Sequence, residues 1–219
     1  MADDRNEARR RGAGGARPCG RTRTPPTGSP ALKPGLPTTR LGAAWILAIA
    51  FFWIARPTRL SLLIGAAVVL LGLVLRGWAA GVLEKDRELA VSGPYACTRN
   101  PLYLGSFIIG AGGIIAGGTP WFGLLFLAFF AWMYGSTMER ESGTLADRFG
   151  PTYLHYRDSV PVFVPRRGRY RPSPDHELPT RTFSVRRYLR NREYEALLGA
   201  LAAFGLLALK AGGWGAPGR

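Results

Sequence analysis

The sequence predicts an all-α fold, a polytopic membrane bundle of about five transmembrane helices. Three observations carry that prediction. The chain of 219 residues has a formal net charge of +15 while its mean hydropathy is near zero, +0.03. That average hides two populations, long uncharged apolar runs and arginine-rich segments, where a soluble domain would interleave the two at helical or strand spacing. Finally, the apolar runs at 102–118 and 121–138 are joined by Thr119-Pro120 alone, which forces an antiparallel hairpin.

In chain order, residues 1–40 are rich in Arg, Gly, Pro and Thr and too poor in large apolar residues to build a core. They read as a disordered basic tail rather than a cleavable signal, whose apolar region would lie closer to Met1. Leu41–Ala55 is the first run, short for a hydrocarbon core of ~30 Å and extendable from Leu36, with Trp45 and Trp53 as interfacial anchors. Arg56-Pro57-Thr58-Arg59 is a tight connection. Leu60–Leu75 is the second run, continued through Leu83, with Arg76 near its end. Arg76 has two equal readings: it snorkels to the surface, or it faces inward toward something negative. Glu84–Val91 reads as a surface loop or short helix. Glycines at 105, 110, 112 and 113 in the third run suit close helix packing. Gly110-Ala111-Gly112-Gly113 lacks the preceding strand of a dinucleotide loop.

After the fourth run, Glu139–Gly150 becomes amphipathic, with Glu141, Leu145 and Phe149 on one face, and is expected to close at Gly150-Pro151. Tyr153, Tyr156 and Arg157 follow. Val160–Pro165 is an extended apolar strip able to lie along a groove, and Arg166–Pro179 a basic loop. Residues 182–195 hold another charged helix, and Ala196–Ala211 is the fifth run. The domain reading is a tail at 1–40, a membrane core at 41–166, a basic loop and helix at 167–195, and a C-terminal membrane helix at 196–219.

Charge orients the bundle. With the tail cytoplasmic and five alternating spans, inside segments carry 24 Lys and Arg and outside segments carry four, with Arg76 inside a span. The expectation is a multi-pass protein of the bacterial inner membrane with a cytoplasmic N terminus. Cys19 and Cys97 form no metal-spaced cluster with His155 and His176, so no metal site is expected. The arginines flank apolar spans without a zinc-finger or RNA-recognition signature, so the partner is the bilayer and not nucleic acid.

The chemically densest stretch is Gly93–Gly105. Gly93-Pro94 marks a turn, Asn100 stands at an N-cap position, and Pro101 suits the first helical residue. With Arg99 alongside, free backbone N–H groups, a helix dipole and a guanidinium converge on one anion site. The competing structural reading is a capped helix anchored at the interface, with Tyr95 and Tyr103 as belt aromatics and Glu141 paired to Arg140 or Arg148.

Taken as an ordered series, Gly93-Pro94-Tyr95, Arg99-Asn100-Pro101-Leu102-Tyr103-Leu104-Gly105, Glu141, Phe149-Gly150, Tyr153, Tyr156, Val160-Pro161 and Pro165 resemble the isoprenylcysteine carboxyl methyltransferase family. Membrane phospholipid N-methyltransferases share a similar signature. The resemblance covers roughly residues 60 to 166 and implies S-adenosylmethionine bound in a pocket at the cytoplasmic face. It implicates Arg99, Asn100, Pro101, Tyr103, Gly105 and Glu141 in cofactor binding, with Arg99 and Glu141 as catalytic candidates. Arg76, Tyr153, Tyr156 and Arg157 are the candidates on the side of a lipid or lipid-modified acceptor. The chain departs from the family in having Asn100 where His is frequent, and Ser142 where a second glutamate is frequent.

The chemistry suits the residues. Arg99 and a helix N terminus match a carboxylate, a glutamate matches an ammonium or ribose hydroxyls, and tyrosines match adenine or a sulfonium. Methyl transfer is an in-line displacement that depends heavily on positioning. Two other readings compete with it: a membrane sterol or lipid reductase using NADPH, and a non-catalytic scaffold with a degenerate site.

Overall fold

A computed structural model describes residues 38–85, 87–172 and 180–212. The helices are α1 (Thr38–Ile54), α2 (Arg59–Val82), α3 (Pro101–Ala116), α4 (Phe122–Ser159), α5 (Val185–Arg190) and α6 (Tyr194–Ala211), with a 3₁₀ turn at Gly93–Ala96. Helices and turns account for all the regular structure among the described residues, and the fold is an all-helical bundle. By length and composition α2, α4 and α6 are long and apolar enough to cross a membrane; α1 and α3 are apolar but shorter. Nearly all of the expected tail, residues 1–37, lies outside the described residues.

The bundle is built on the α2–α3 pair. Gly65 and Gly72 recur after two turns of α2, as Gly105 and Gly112 do on α3, so each helix presents one glycine face. The helices run antiparallel, and their backbones touch through these positions. A Cβ at Gly65 would sit 2.5 Å from the Ala116 Cβ and 2.6 Å from the Gly112 carbonyl oxygen. One at Gly72 would sit 2.8 Å from the Gly105 carbonyl oxygen. Among apolar helices such close approach gains dispersion where lipid offers no hydrophobic contrast.

Helix ends in an apolar solvent must have their orphan backbone groups met internally. Thr58 and Ser61 form a reciprocal capping box at the start of α2, and the Ser61 hydroxyl also donates to the Ala116 carbonyl at 3.0 Å. At the other end of α2, Asn191 Nδ2 donates to the Ala80 and Leu83 carbonyls at 2.8 and 3.2 Å, and Arg187 Nε to Gly81 at 2.7 Å. Lys210, in the last turn of α6, donates to the Phe52 and Trp53 carbonyls that end α1. Arg40, near the start of α1, reaches the Met133 carbonyl and the Ser136 hydroxyl of α4.

One expectation is extended here and two are corrected. The amphipathic extension does break at Gly150-Pro151 as expected, where Gly150 leaves helical backbone (φ 53°, ψ −132°), but a second helical segment follows at once, so that α4 runs on to Ser159. Glycine alone enters that backbone region cheaply, and Pro151 then starts the new segment without an N–H to lose. Residues 84–91 are not a simple surface loop, because Leu89 and Val91 are buried with Ala96, Tyr153, Tyr156, Val160 and Tyr170 in a core outside the bundle. The charged helix expected at 182–195 is only the six residues of α5, with α6 already begun at Tyr194.

Candidate functional site

The site forms where residues 97–105, the α4 extension and the strip after Val160 meet. Asn100 does occupy the N-cap of α3, with Pro101 as the first helical residue. Its side chain makes no capping bond, however. The amide instead donates from Nδ2 to the Val162 carbonyl at 3.0 Å. The strip is held by backbone bonds as well: Arg99 N donates to the Pro161 carbonyl at 2.9 Å and Arg166 N to the Cys97 carbonyl at 3.0 Å. Thr98, almost fully buried, donates its hydroxyl to the Phe163 carbonyl at 3.0 Å. The apolar strip therefore lies as a strap across the entry to α3.

On the other side stands α4. The Tyr103 hydroxyl donates to Glu141 Oε1 at 2.7 Å, and the Tyr103 ring lies 5.0 Å from that of Tyr134. Glu141 is exposed, so its remaining acceptor capacity faces out of the fold. Tyr153 is buried and donates to Ser142 Oγ at 2.7 Å, while the Arg99 guanidinium reaches the Tyr153 hydroxyl at 3.5 Å. Ser142, at the position where the family often carries a second acid, thus serves as an acceptor for Tyr153. Arg99 Nε is buried with no hydrogen-bond partner among the described residues. A buried guanidinium edge without an acceptor favours an anion beside it.

The remaining candidates divide. Gly105 is a packing residue, since a Cβ there would lie 2.4 Å from Arg76 Cγ. Tyr156 is buried and donates to the Tyr95 carbonyl at 2.7 Å, bracing the turn that precedes the site. Tyr95 is itself buried, and not a belt aromatic; burial pushes its hydroxyl far above the usual tyrosine range. Arg157 is exposed and pairs with Asp158. Arg76 faces inward, with its charge already met: it forms a two-pronged pair with Glu193 at 2.9 and 3.0 Å and also contacts Ser106. It ties α6 to the bundle and also donates from Nη1 to the Leu102 carbonyl at 3.4 Å, inside the Arg99–Gly105 segment.

Sequence reasoning missed two parts of this site. One is the Thr98 clasp on the strap; its signal, a hydroxyl two residues before the N-cap, was present but too common to single out. The other is the arm after residue 180. Glu193 meets Arg76, and Glu84, nearly buried, is paired with Arg190 and Arg181. Burial alone would raise the Glu84 carboxyl, yet the Arg190 hydrogen bond and the charges of Arg190, Arg181 and Arg87 hold it below the usual glutamate range.

With the geometry in place, comparison with known proteins adds a partial family match. Residues 60–152 match the phospholipid methyltransferase family. That stretch takes in nearly all of α2, the Arg99–Gly105 segment, α3 and α4 as far as Thr152, and leaves out Tyr153 and the strip after Val160. The resemblance drawn from the residues holds at this level. The chain is also similar to the cobalt-zinc-cadmium resistance protein CzcN of Cupriavidus metallidurans, at 35% identity over 116 residues, 51% of this chain and 52% of that protein. The nickel-cobalt-cadmium resistance protein NccN of Alcaligenes xylosoxydans xylosoxydans is 34% identical over 114 residues, 50% and 52% of the two chains. The chain spans about half the length of the curated relatives it matches. No solved structure matches it.

Proposed function

We propose that the protein is an integral-membrane methyltransferase that uses S-adenosylmethionine to methylate a lipid or lipid-modified acceptor at one membrane face. The observation that carries this reading is the Tyr103–Glu141 hydrogen bond. It brings the entry of α3 and the extension of α4, 38 residues apart in sequence, into one cluster that also holds Arg99. The family match over 60–152 supports the same chemistry.

The residues present fit the methyl donor. Arg99, with its unpartnered buried Nε, and the α3 N terminus, which Asn100 leaves without a side-chain cap, would hold the carboxylate. Glu141, oriented by Tyr103, would accept from the ammonium or the ribose hydroxyls, and the Tyr103 and Tyr134 rings offer π faces to adenine or the sulfonium. When bound, the donor supplies an activated methyl group. The chain's own contribution is to orient it, through the Thr98 clasp and Tyr153, and to admit the acceptor. A carboxylate acceptor, as in the isoprenylcysteine family, needs no base.

The test is calorimetric titration of the purified protein in detergent with S-adenosylmethionine and, separately, NADPH. Saturable binding of the former alone is expected. Arg99→Ala and Glu141→Ala are each expected to weaken it about ten- to a hundredfold, as for loss of a charge-assisted hydrogen bond. Unchanged affinity in both variants would support the scaffold reading, and binding of NADPH alone the reductase reading. Transfer of labelled methyl into total lipid and protein extracts then identifies the acceptor.

A further inference from the structure

Between residues 157 and 172 the chain carries five arginines against one aspartate, and Asp158 is already paired with Arg157. Arg166 spends its guanidinium on the Ser159 carbonyl. Arg167, Arg169 and Arg171 are exposed and make no hydrogen bond or ion pair among the described residues. Most arginines of the following arm differ: Arg181, Arg187, Arg190 and Arg192 are engaged with carboxylates or backbone carbonyls, and Arg186 alone of that arm makes no such contact among the described residues. Three free arginines within five residues therefore make this segment the densest run of uncompensated charge among the described residues.

That segment has a fixed place. Just before it, the Phe163 ring packs 5.7 Å from Phe107 of α3 and 5.9 Å from Phe130 of α4, inside the apolar hairpin. Its neighbours Val162 and Val164 face outward, 42% and 74% exposed. Beyond the valines, Arg166 N and Tyr170 N are pinned to the Cys97 and Ala96 carbonyls at 3.0 and 2.9 Å, and Tyr170 is buried. Exposed valines anchored in a membrane hairpin, followed at once by unpaired arginines on a pinned backbone, match the order of acyl chain and headgroup in a lipid leaflet.

We propose that Val162–Arg171 is a binding surface for anionic phospholipid in the membrane the protein spans, with Arg167, Arg169 and Arg171 on the headgroup phosphates and the two valines against the acyl chains. The adjoining valines favour a lipid over a soluble phosphate. The inference does not rest on the methyl-transfer reading, because none of these groups holds the donor.

Native mass spectrometry of the full chain in an uncharged detergent tests it, using equimolar phosphatidylglycerol and phosphatidylcholine with identical acyl chains. Phosphatidylglycerol is expected to bind on the order of tenfold to a hundredfold more tightly, with the preference shrinking as salt is raised. The triple variant Arg167→Gln/Arg169→Gln/Arg171→Gln is expected to bring the ratio near unity, while Arg56→Gln/Arg59→Gln leaves it unchanged. Val164→Asp, at an exposed site, is expected to reduce retention of both lipids, and serves if the triple variant does not fold. No preference in the parent protein, a preference that survives the triple variant, or equal competition by soluble glycerol phosphate would overturn the proposal.

Discussion

Thr98 is 2% exposed, and its hydroxyl is one of the links between the strap and the entry to α3. Thr98→Val keeps the shape and removes the donor, leaving the Phe163 carbonyl to find another partner. The expected cost is about 1–3 kcal/mol, read as a lower unfolding midpoint in detergent. The same change should weaken methyl-donor binding, because Arg99 and Asn100 directly follow Thr98 and are held to the same strap. Glu84 is a second residue whose contacts can be tested singly. Its carboxyl titrates below its ordinary value of 4.5 because the Arg190 and Arg181 contacts outweigh its burial. A group with a depressed folded value binds fewer protons folded than unfolded. Its stabilisation is therefore full above the ordinary value and is lost as pH falls through the depressed one. The unfolding midpoint should be level from pH 7 to about 5 and then drop. Glu84→Gln should lower the midpoint at pH 7 and flatten the acid limb.

Among the elements, Gly150 has nothing within 4 Å of the place a Cβ would occupy, yet it cannot be replaced freely. Its φ of 53° and ψ of −132° suit glycine only, and that one residue redirects α4 so that Tyr153 and Tyr156 turn back to Arg99 and Tyr95. Gly150→Ala is expected to cost about 1–3 kcal/mol through backbone strain alone. The α2–α3 contact makes the opposite case: the backbone of Gly112 is ordinary, but a side chain would meet Val69 N at 2.8 Å and the Gly65 carbonyl oxygen at 2.9 Å. Gly112→Leu should destabilise by at least the 1–3 kcal/mol typical of overpacking, because the obstacle is backbone. These two glycines show what could be read from the sequence. Apolar runs interrupted by arginine announce spans, and small residues inside a span announce close packing, so α1 to α4, α6 and the glycine face were legible. Gly150-Pro151 has the signature of a helix end and the helix does break there; only its tertiary setting shows a second segment following at once. Likewise, nothing local in residues 180–193 reveals that Asn191, Arg187 and Glu193 are bonded to α2, more than a hundred residues earlier. In the site, Arg99, Tyr103 and Glu141 were legible because their residue types and order carry chemistry. For Arg76 the inward reading was one of two open ones and is the one observed; its partner Glu193, 117 positions away, was not legible.

Across the whole molecule, contacts at helix ends and the distribution of charge agree on one arrangement. Lys210 at the end of α6 caps the end of α1, and Ser61 at the start of α2 reaches the end of α3, so these termini share one end of the bundle. At the other end, Arg40 meets Ser136, Asn191 meets the close of α2, and Tyr103 meets Glu141. The second end carries the Arg99–Glu141 site and most of the arginines; the first has Arg56, Arg59 and Lys210. Short flanking segments rich in Lys and Arg are retained in the cytoplasm, so the second end is expected to face it. Single cysteines in a background with Cys19 and Cys97 replaced by serine test this. With a membrane-impermeant maleimide, Ser184→Cys should label only in inverted vesicles, and Thr58→Cys only in right-side-out ones. Labelling of both positions from the same side would break the alternation of spans. The reverse pattern would keep the bundle but put the Arg99–Glu141 site on the outer face, away from a cytoplasmic supply of methyl donor.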